Sequence, residues 1–147
     1  MKIKNGESMD EIVENLMFIK KVITYDGYYA EYIVTDGKYD LICMDTSIPL
    51  PPGVKEPEQG MRIAKIFAFS IDDTNIKRIE DDKSKKCLVK KRKRPLSYYL
   101  QAEIIDKESA LVRIGRLIIE TEELSDDLKN GDFIGFEADR LDCLLYE

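Results

Sequence analysis

The strongest local concentration of charge in this chain is a basic block at residues 83–94, in which eight of twelve residues are lysine or arginine and none is acidic. The block ends in five consecutive cations, and two tyrosines follow closely: Lys90, Lys91, Arg92, Lys93, Arg94, Tyr98 and Tyr99. Cations can contact phosphate oxygens while an aromatic ring stacks on a base. The pattern therefore predicts an anion-binding surface for a nucleic acid or a nucleotide.

The same cations also fit two roles that involve no nucleotide. Lysine and arginine on a strand prevent edge-to-edge aggregation and offset acidic neighbours, and a nuclear-localisation signal has a similar composition. The net charge of the chain is −6, so the residues outside the block carry −14. A long polyanion lying across them would be repelled, and its affinity would fall steeply with salt. Any anion site is therefore expected to be narrow, and nucleic acid is not the preferred ligand.

Residue types that commonly carry catalysis are scarce. The chain has no histidine, which removes the usual general base and the commonest zinc ligand. The pairs Asp72-Asp73 and Asp126-Asp127 leave open a hard-cation site or an enzyme that uses carboxylates alone, although acidic pairs of this kind are common in surface turns. Three cysteines without C-x-x-C spacing are expected to be reduced residues in or near the core: Cys43, Cys87 and Cys143. We expect no metal and no cofactor.

One predicted strand is apolar on both of its faces. Side chains alternate across a strand, so Ala64, Ile66 and Ala68 share one face, which we expect to be the inward one. Phe67 and Phe69 then lie on the opposite face. Either another part of the chain covers them, such as its second half or an N-terminal helix, or they form an exposed docking surface for a protein partner or a second copy.

Most of the chain has the composition of β-strands separated by turns. Asp26-Gly27 and Asp36-Gly37 interrupt runs rich in Tyr, Ile and Val, and Asp-Gly is typical of a two-residue hairpin turn. We predict four strands at residues 16–25, 28–35, 39–45 and 61–71, and four more at residues 87–94, 98–105, 110–117 and 133–141. Ser8 and Glu11 form a capping box, which predicts a short helix ending near Asn15. A helical turn is an option at residues 121–129.

The two sets of strands are related by a gap-free shift of seventy residues, because residues 17–77 and 87–147 are identical at nine of 61 positions. The shared residues include the tyrosine pairs that end at Tyr29 and Tyr99, and Asp36 with Asp106. This relation indicates a tandem duplication. It also places Glu137 and Asp139 at the positions that correspond to Phe67 and Phe69.

These observations predict an all-β protein of two tandem related four-stranded antiparallel units, each a small barrel or sandwich, preceded by a short helix. We assign residues 1–79 to the first unit and residues 80–147 to a connector and the second unit, and expect the units to pack together. No secretory signal or membrane-spanning stretch is apparent, so a cytoplasmic location is expected. The preferred function is a non-catalytic binding or assembly module that uses an apolar sheet face. An anion-binding module and a carboxylate-dependent enzyme are the alternatives.

Overall fold

A computed structural model describes residues 15–25, 30–45, 60–69, 76–94 and 96–146 of the 147-residue chain. These residues form eleven β-strands and no α-helix, which confirms the predicted all-β class. The predicted N-terminal helix, the Asp26-Gly27 turn and the pair Tyr28-Tyr29 lie outside the described residues. Within the described part of the chain, no helix is long and apolar enough to cross a bilayer.

The strands are numbered in the order in which they occur along the chain. They are β1 (Asn15–Tyr25), β2 (Ala30–Thr35), β3 (Asp40–Asp45), β4 (Gly60–Phe69), β5 (Lys77–Arg78), β6 (Leu88–Lys91), β7 (Tyr98–Asp106), β8 (Leu111–Ile114), β9 (Leu117–Glu120), β10 (Phe133–Ala138) and β11 (Arg140–Tyr146). A short 3₁₀ helix at Asp82–Ser84 lies between β5 and β6, and the Asp81 side chain accepts a hydrogen bond from the amide of Lys83 at its start.

Four predicted elements of the second half are corrected. The strand predicted at residues 133–141 is two strands, β10 and β11, which are separated at Asp139. The basic strand ends at Lys91, because the Arg92 amide donates to the Ser97 carbonyl (2.9 Å) and closes a turn. The predicted strand at residues 110–117 is instead the start of a hairpin, β8 and β9, which turns at Gly115 with a φ of +59°. Glycine is favoured there because it lacks the Cβ that makes this region costly. The predicted helical turn at residues 121–129 is a non-helical turn.

All strands belong to one sheet, whose order is β1-β2-β3-β11-β4-β9-β8-β7-β10-β5, with β6 paired to β7. This sheet is open, so the prediction of a closed barrel is wrong. The first residues of β1 also pair with β4, and this pairing brings Phe18 opposite Met61. Five of the strand pairings join strands that are sequential in the chain, and six, including both pairings of β11, join strands that are not.

Strand β11 comes from the second half of the chain and lies between two strands of the first half. It runs antiparallel to β4, from Arg140 opposite Phe69 to Tyr146 opposite Ile63. On its other side it is parallel to β3, where Asp142 lies opposite Met44. Strand β9 is likewise parallel to β4. The two halves therefore share strands of the same sheet.

The inward face predicted for β4 is confirmed, since Ala64, Ile66 and Ala68 are buried. Buried residues also occur seventy positions apart in the second and fourth strands of the two halves: Ala30, Tyr32 and Val34 with Leu100, Ala102 and Ile104, and Ala64, Ile66 and Ala68 with Ile134, Phe136 and Ala138. The third strand differs, because β3 buries the alternate residues Leu41 and Cys43 whereas β8 buries Leu111, Val112 and Ile114. The pairing of β7 with β8 has a bulge at this point, opposite the consecutive buried residues Leu111 and Val112.

Asp36 joins the turn after β2 to the turn after β8. Its Oδ2 accepts a hydrogen bond from the Arg116 amide (2.7 Å), and its Oδ1 accepts from the Tyr39 amide (2.8 Å) and the Lys38 amide (2.9 Å). Burial alone raises the pKa of Asp36, but these amides outweigh it and lower the pKa below 3.8. The carboxylate is therefore ionised at neutral pH and bridges the two halves.

Candidate functional site

The large apolar side chains that are exposed among the described residues all lie on one face of the sheet. They are Phe18, Met61, Phe69 and Leu144, with exposed fractions of 40%, 53%, 40% and 37%. Phe18 lies directly opposite Met61, and Leu144 lies opposite Lys65 on the same side of β4 as Phe69. We call the outward side of β1, β4 and β11 at these residues the outer apolar face.

Phe67 and Phe69 contribute to this face to different degrees. Phe67 is half-buried and Phe69 is exposed, with ring centroids 6.4 Å apart and planes tilted by 44°. The Arg140 guanidinium lies 5.3 Å from the centroid of the Phe69 ring. Its Nε also donates to Asp142 Oδ1 (2.6 Å), and its second terminal nitrogen donates to Oδ2 (3.1 Å). The arginine and aspartate on this face therefore neutralise each other.

Sequence reasoning identified Phe67 and Phe69 but missed the other members of the face. Met61 could have been found, because it has the same odd-numbered alternation along β4. Phe18 could not, because its contribution depends on the pairing of β1 with β4. Leu144 depends on the placement of β11 beside β4, and the predicted last strand ended before it.

The predicted cations form a second candidate surface, next to the Phe69 end of the outer apolar face. Lys90 and Lys91 end β6, and Arg92, Lys93 and Arg94 form the turn that leads to β7. All five are exposed. They line a surface groove of about 460 Å³ together with Ser97, Glu137 and Asp139, and we call it the basic groove.

The cations of the basic groove are neutralised to different degrees. A terminal nitrogen of Arg92 lies 3.0 Å from Glu137 Oε1, and one of Arg94 lies 3.4 Å from Asp139 Oδ1. The Lys91 ammonium lies 5.5 Å from the centroid of the Tyr98 ring. Among the described residues, neither Lys90 nor Lys93 has a carboxylate within 4.0 Å. The groove therefore has more positive than negative charge.

Tyr98, one of the two tyrosines predicted as candidates to stack on a base, has its side chain in the core with 4% exposure. Its hydroxyl accepts a hydrogen bond from the Ile42 amide (2.9 Å), and burial raises the pKa of Tyr98. Tyr99 is half-buried and lies over Gly135, with its hydroxyl donating to Gln101 Oε1 (3.0 Å). Tyr99 does not line the basic groove. Neither tyrosine therefore lines the basic groove, although Lys90 and Lys91 lie opposite Tyr99 and Tyr98 on the paired strands.

The remaining candidates offer little chemistry. Asp72-Asp73 lies outside the described residues, and both Asp126 and Asp127 are exposed. In the described ranges, no group of three or more Cys, Asp or Glu residues is placed to hold a metal.

The predicted burial of the cysteines is confirmed, since Cys43 and Cys143 are buried and Cys87 is half-buried. A hydrogen bond with Cys43, together with burial, raises the pKa of Cys143 and disfavours its thiolate. The Cys143 thiol is therefore a core residue of low reactivity.

Two surfaces remain for function, the outer apolar face and the basic groove. They lie on different strands. The outer apolar face is largely apolar with a balanced ion pair, and the basic groove has an excess of positive charge. In comparisons with known proteins, no family model, no curated protein and no solved structure matches this chain.

Proposed function

We propose that this chain is a non-catalytic binding and assembly module that associates with a second copy of itself through the outer apolar face. One observation carries this proposal. The four large apolar side chains that are exposed in the described part of the chain share the outward side of β4 and of the strands paired with it. Isolated exposed apolar residues are common on soluble proteins, whereas several on one side of a sheet are typical of an interaction surface.

The residue types on the face support an interface. Phenylalanine, methionine and arginine are enriched in the buried centres of protein interfaces. Phe18, Met61 and Phe69 supply apolar area, and Arg140 is held in place by Asp142 and stacks on Phe69. An arginine fixed in this way loses little side-chain entropy on association. The face therefore combines apolar area with a preorganised polar group.

The charge distribution of this face is compatible with a second copy as the occupant. Two chains with a net charge of −6 repel each other over most of their surface. On the outer apolar face, the Arg140–Asp142 pair is internally balanced, and Lys65 lies on the same side of the sheet as Glu120. A two-fold dimer places the same patch against itself, which requires a surface that does not repel its own copy. This face meets that requirement.

We also propose that the two halves, residues 1–79 and 80–147, descend from one duplicated β unit and that the protein acts in the cytoplasm. The shared burial pattern of the second and fourth strands supports the duplication. The three free cysteines fit a reducing compartment, where disulfides are rare.

Sedimentation velocity over a wide range of protein concentrations tests the proposed dimer. The wild-type chain should shift from monomer to dimer as concentration rises, and Met61→Glu/Phe69→Glu should remain monomeric. Ser84→Glu/Ser125→Glu adds the same charge at exposed serines away from the face and should still dimerise. A wild-type chain that stays monomeric at every concentration, or equal behaviour of the two variants, would contradict the proposal.

A further inference from the structure

We infer that the basic groove binds a compact, multiply phosphorylated small molecule. The groove lies on β6, β10 and the turn after β6, and the amide of Asp139 in its wall donates to the Phe69 carbonyl (3.0 Å) at the edge of the outer apolar face. This inference is independent of self-association, and either can fail without the other.

The groove presents two kinds of cation to one volume. Among the residues that the structure describes, no carboxylate lies within 4.0 Å of the Lys90 or Lys93 ammonium group. Arg92 and Arg94 each use one terminal nitrogen in an ion pair. A guanidinium has five N–H donors, so most of them stay available to phosphate oxygens. The ammonium groups supply point charge, and the guanidinium groups supply directed hydrogen bonds.

Glu137 and Asp139 act here as positioning residues for the two arginines. Arg92 and Arg94 lie in a short turn, where long side chains would otherwise sample many rotamers. The Arg92–Ser97 backbone hydrogen bond (2.9 Å) fixes the turn, and the Ser97 hydroxyl donates to the Ala138 carbonyl (3.2 Å), which fastens the turn to β10. The two arginines are therefore positioned before a ligand binds, and less conformational entropy of their side chains is lost on binding.

The size and surroundings of the groove favour a compact ligand over a nucleic acid. Its volume of about 460 Å³ lies within the range of about 300–1,000 Å³ that is typical of small-molecule sites. Its wall includes two carboxylates, and the residues outside the basic block carry −14. A long polyanion would extend over this acidic surface, whereas a triphosphate would remain among the cations.

Isothermal titration calorimetry at low salt tests the inference with inorganic tripolyphosphate, ATP, AMP and a single-stranded oligonucleotide. We expect saturable binding of tripolyphosphate and ATP with one ligand per chain, and much weaker binding of AMP. Equal affinities for tripolyphosphate and ATP would identify the phosphate chain as the recognised group. Tighter binding of ATP would add a contact to the nucleoside, and both results support a phosphate site.

Matched charge variants separate a site from general attraction. Lys90→Gln/Lys93→Gln should weaken tripolyphosphate binding about tenfold or more, because it removes both ammonium groups that have no carboxylate close by among the described residues. Lys83→Gln/Lys86→Gln removes the same charge from exposed positions of the basic block outside the groove and should change the affinity less than about twofold. Thermal melts confirm that each variant is folded.

Three results would overturn the inference. The first is no saturable binding of tripolyphosphate to the folded wild-type chain. The second is equal weakening by the two lysine pairs, which would indicate unspecific attraction to the basic block. The third is tighter binding of the oligonucleotide than of ATP, which would identify a nucleic-acid surface instead.

Discussion

Strands β4 and β10 share an inward face of buried apolar residues but present opposite chemistry on their outward faces. On β4 the outward positions include Phe67 and Phe69, and the positions seventy residues later, on β10 and just after it, are Glu137 and Asp139. The two acidic residues pair with arginines of the turn after β6. The outward charges of β10 are therefore engaged within the chain, while the outward apolar groups of β4 remain wholly or partly exposed.

This difference shows that two strands with the same pattern of buried residues can present different outward surfaces. The inward positions are constrained by packing, since core side chains lie in contact on all sides. The outward positions are free to change because few neighbours constrain them. On β10 the acidic residues at these positions pair with arginines of the turn after β6, and on β4 the phenylalanines at these positions form part of the outer apolar face. Substitutions at corresponding positions of the two halves therefore test this difference.

The largest effect on stability is expected at Asp36, which accepts three backbone hydrogen bonds and joins the halves. Asp36→Ala should lower the free energy of unfolding by about 2–3 kcal/mol, because the amides lose a charged acceptor. The corresponding Asp106 accepts one long bond, from the Ser109 amide (3.3 Å). Asp106→Ala should therefore cost about 1 kcal/mol. Urea unfolding measures both, and equal losses would show that Asp36 does not join the halves.

The same carboxylate predicts a pH dependence. The pKa of Asp36 is lowered in the folded protein, so the unfolded chain binds more protons as pH falls past 3.8. The contribution of Asp36 is complete above that value and is lost as pH falls through the folded pKa. Asp36→Asn should therefore lose less stability than the wild-type chain between about pH 5 and pH 3. Parallel pH profiles of unfolding would contradict the assigned hydrogen bonds.

A smaller effect is expected at Gly135, which corresponds to Lys65 on β4. A Cβ at Gly135 would lie 2.3 Å from the Tyr99 hydroxyl, so Gly135→Ala must displace the ring and its bond to Gln101. We expect a loss of about 1–2 kcal/mol in the free energy of unfolding. Tyr99→Phe removes the closest atom and should recover part of this loss in the double variant. Strictly additive losses in the double-mutant cycle would show that the two residues are not in contact.

The smallest effect is expected for the ion pair between Arg92 and Glu137, whose side chains are 46% and 47% exposed. Glu137→Gln should change the free energy of unfolding by less than about 1 kcal/mol, because exposed pairs are well solvated and screened by salt. Glu123→Gln is a control at an exposed glutamate elsewhere in the second half. A loss at Glu137 well above this limit would mean that the pair is a structural requirement of β10.

Local sequence patterns were sufficient for the strands whose neighbours are close in the chain. A turn at Asp36-Gly37 and the inward face of β4 depend on residues within one hairpin or one strand, and both were predicted, although the turn contains the four residues 36–39 and not the two that were expected. The insertion of β11 between β3 and β4 could not be predicted, because its partners are distant residues. The Gly115 turn was also missed, since one glycine inside an apolar run gives little indication of a hairpin.

The candidate surfaces were predictable only in part, for the same reason. The cations are consecutive, so their clustering in the basic groove followed from the sequence. The choice between Tyr98 and Tyr99 for the core did not, because either phase of β7 satisfies the alternation of its side chains. Phe69 could be identified from β4 alone, whereas Phe18 and Leu144 join it through strand pairings formed only in the folded chain.

The most direct test of the outer apolar face is methyl NMR of the wild-type chain over a series of protein concentrations. The Met61 and Leu144 methyl signals should shift together as the dimer forms, because both side chains lie on this face. The signals of Leu88, half-buried on β6, should stay unchanged. Invariant Met61 and Leu144 signals, or shifts centred on Leu88, would contradict association through the outer apolar face.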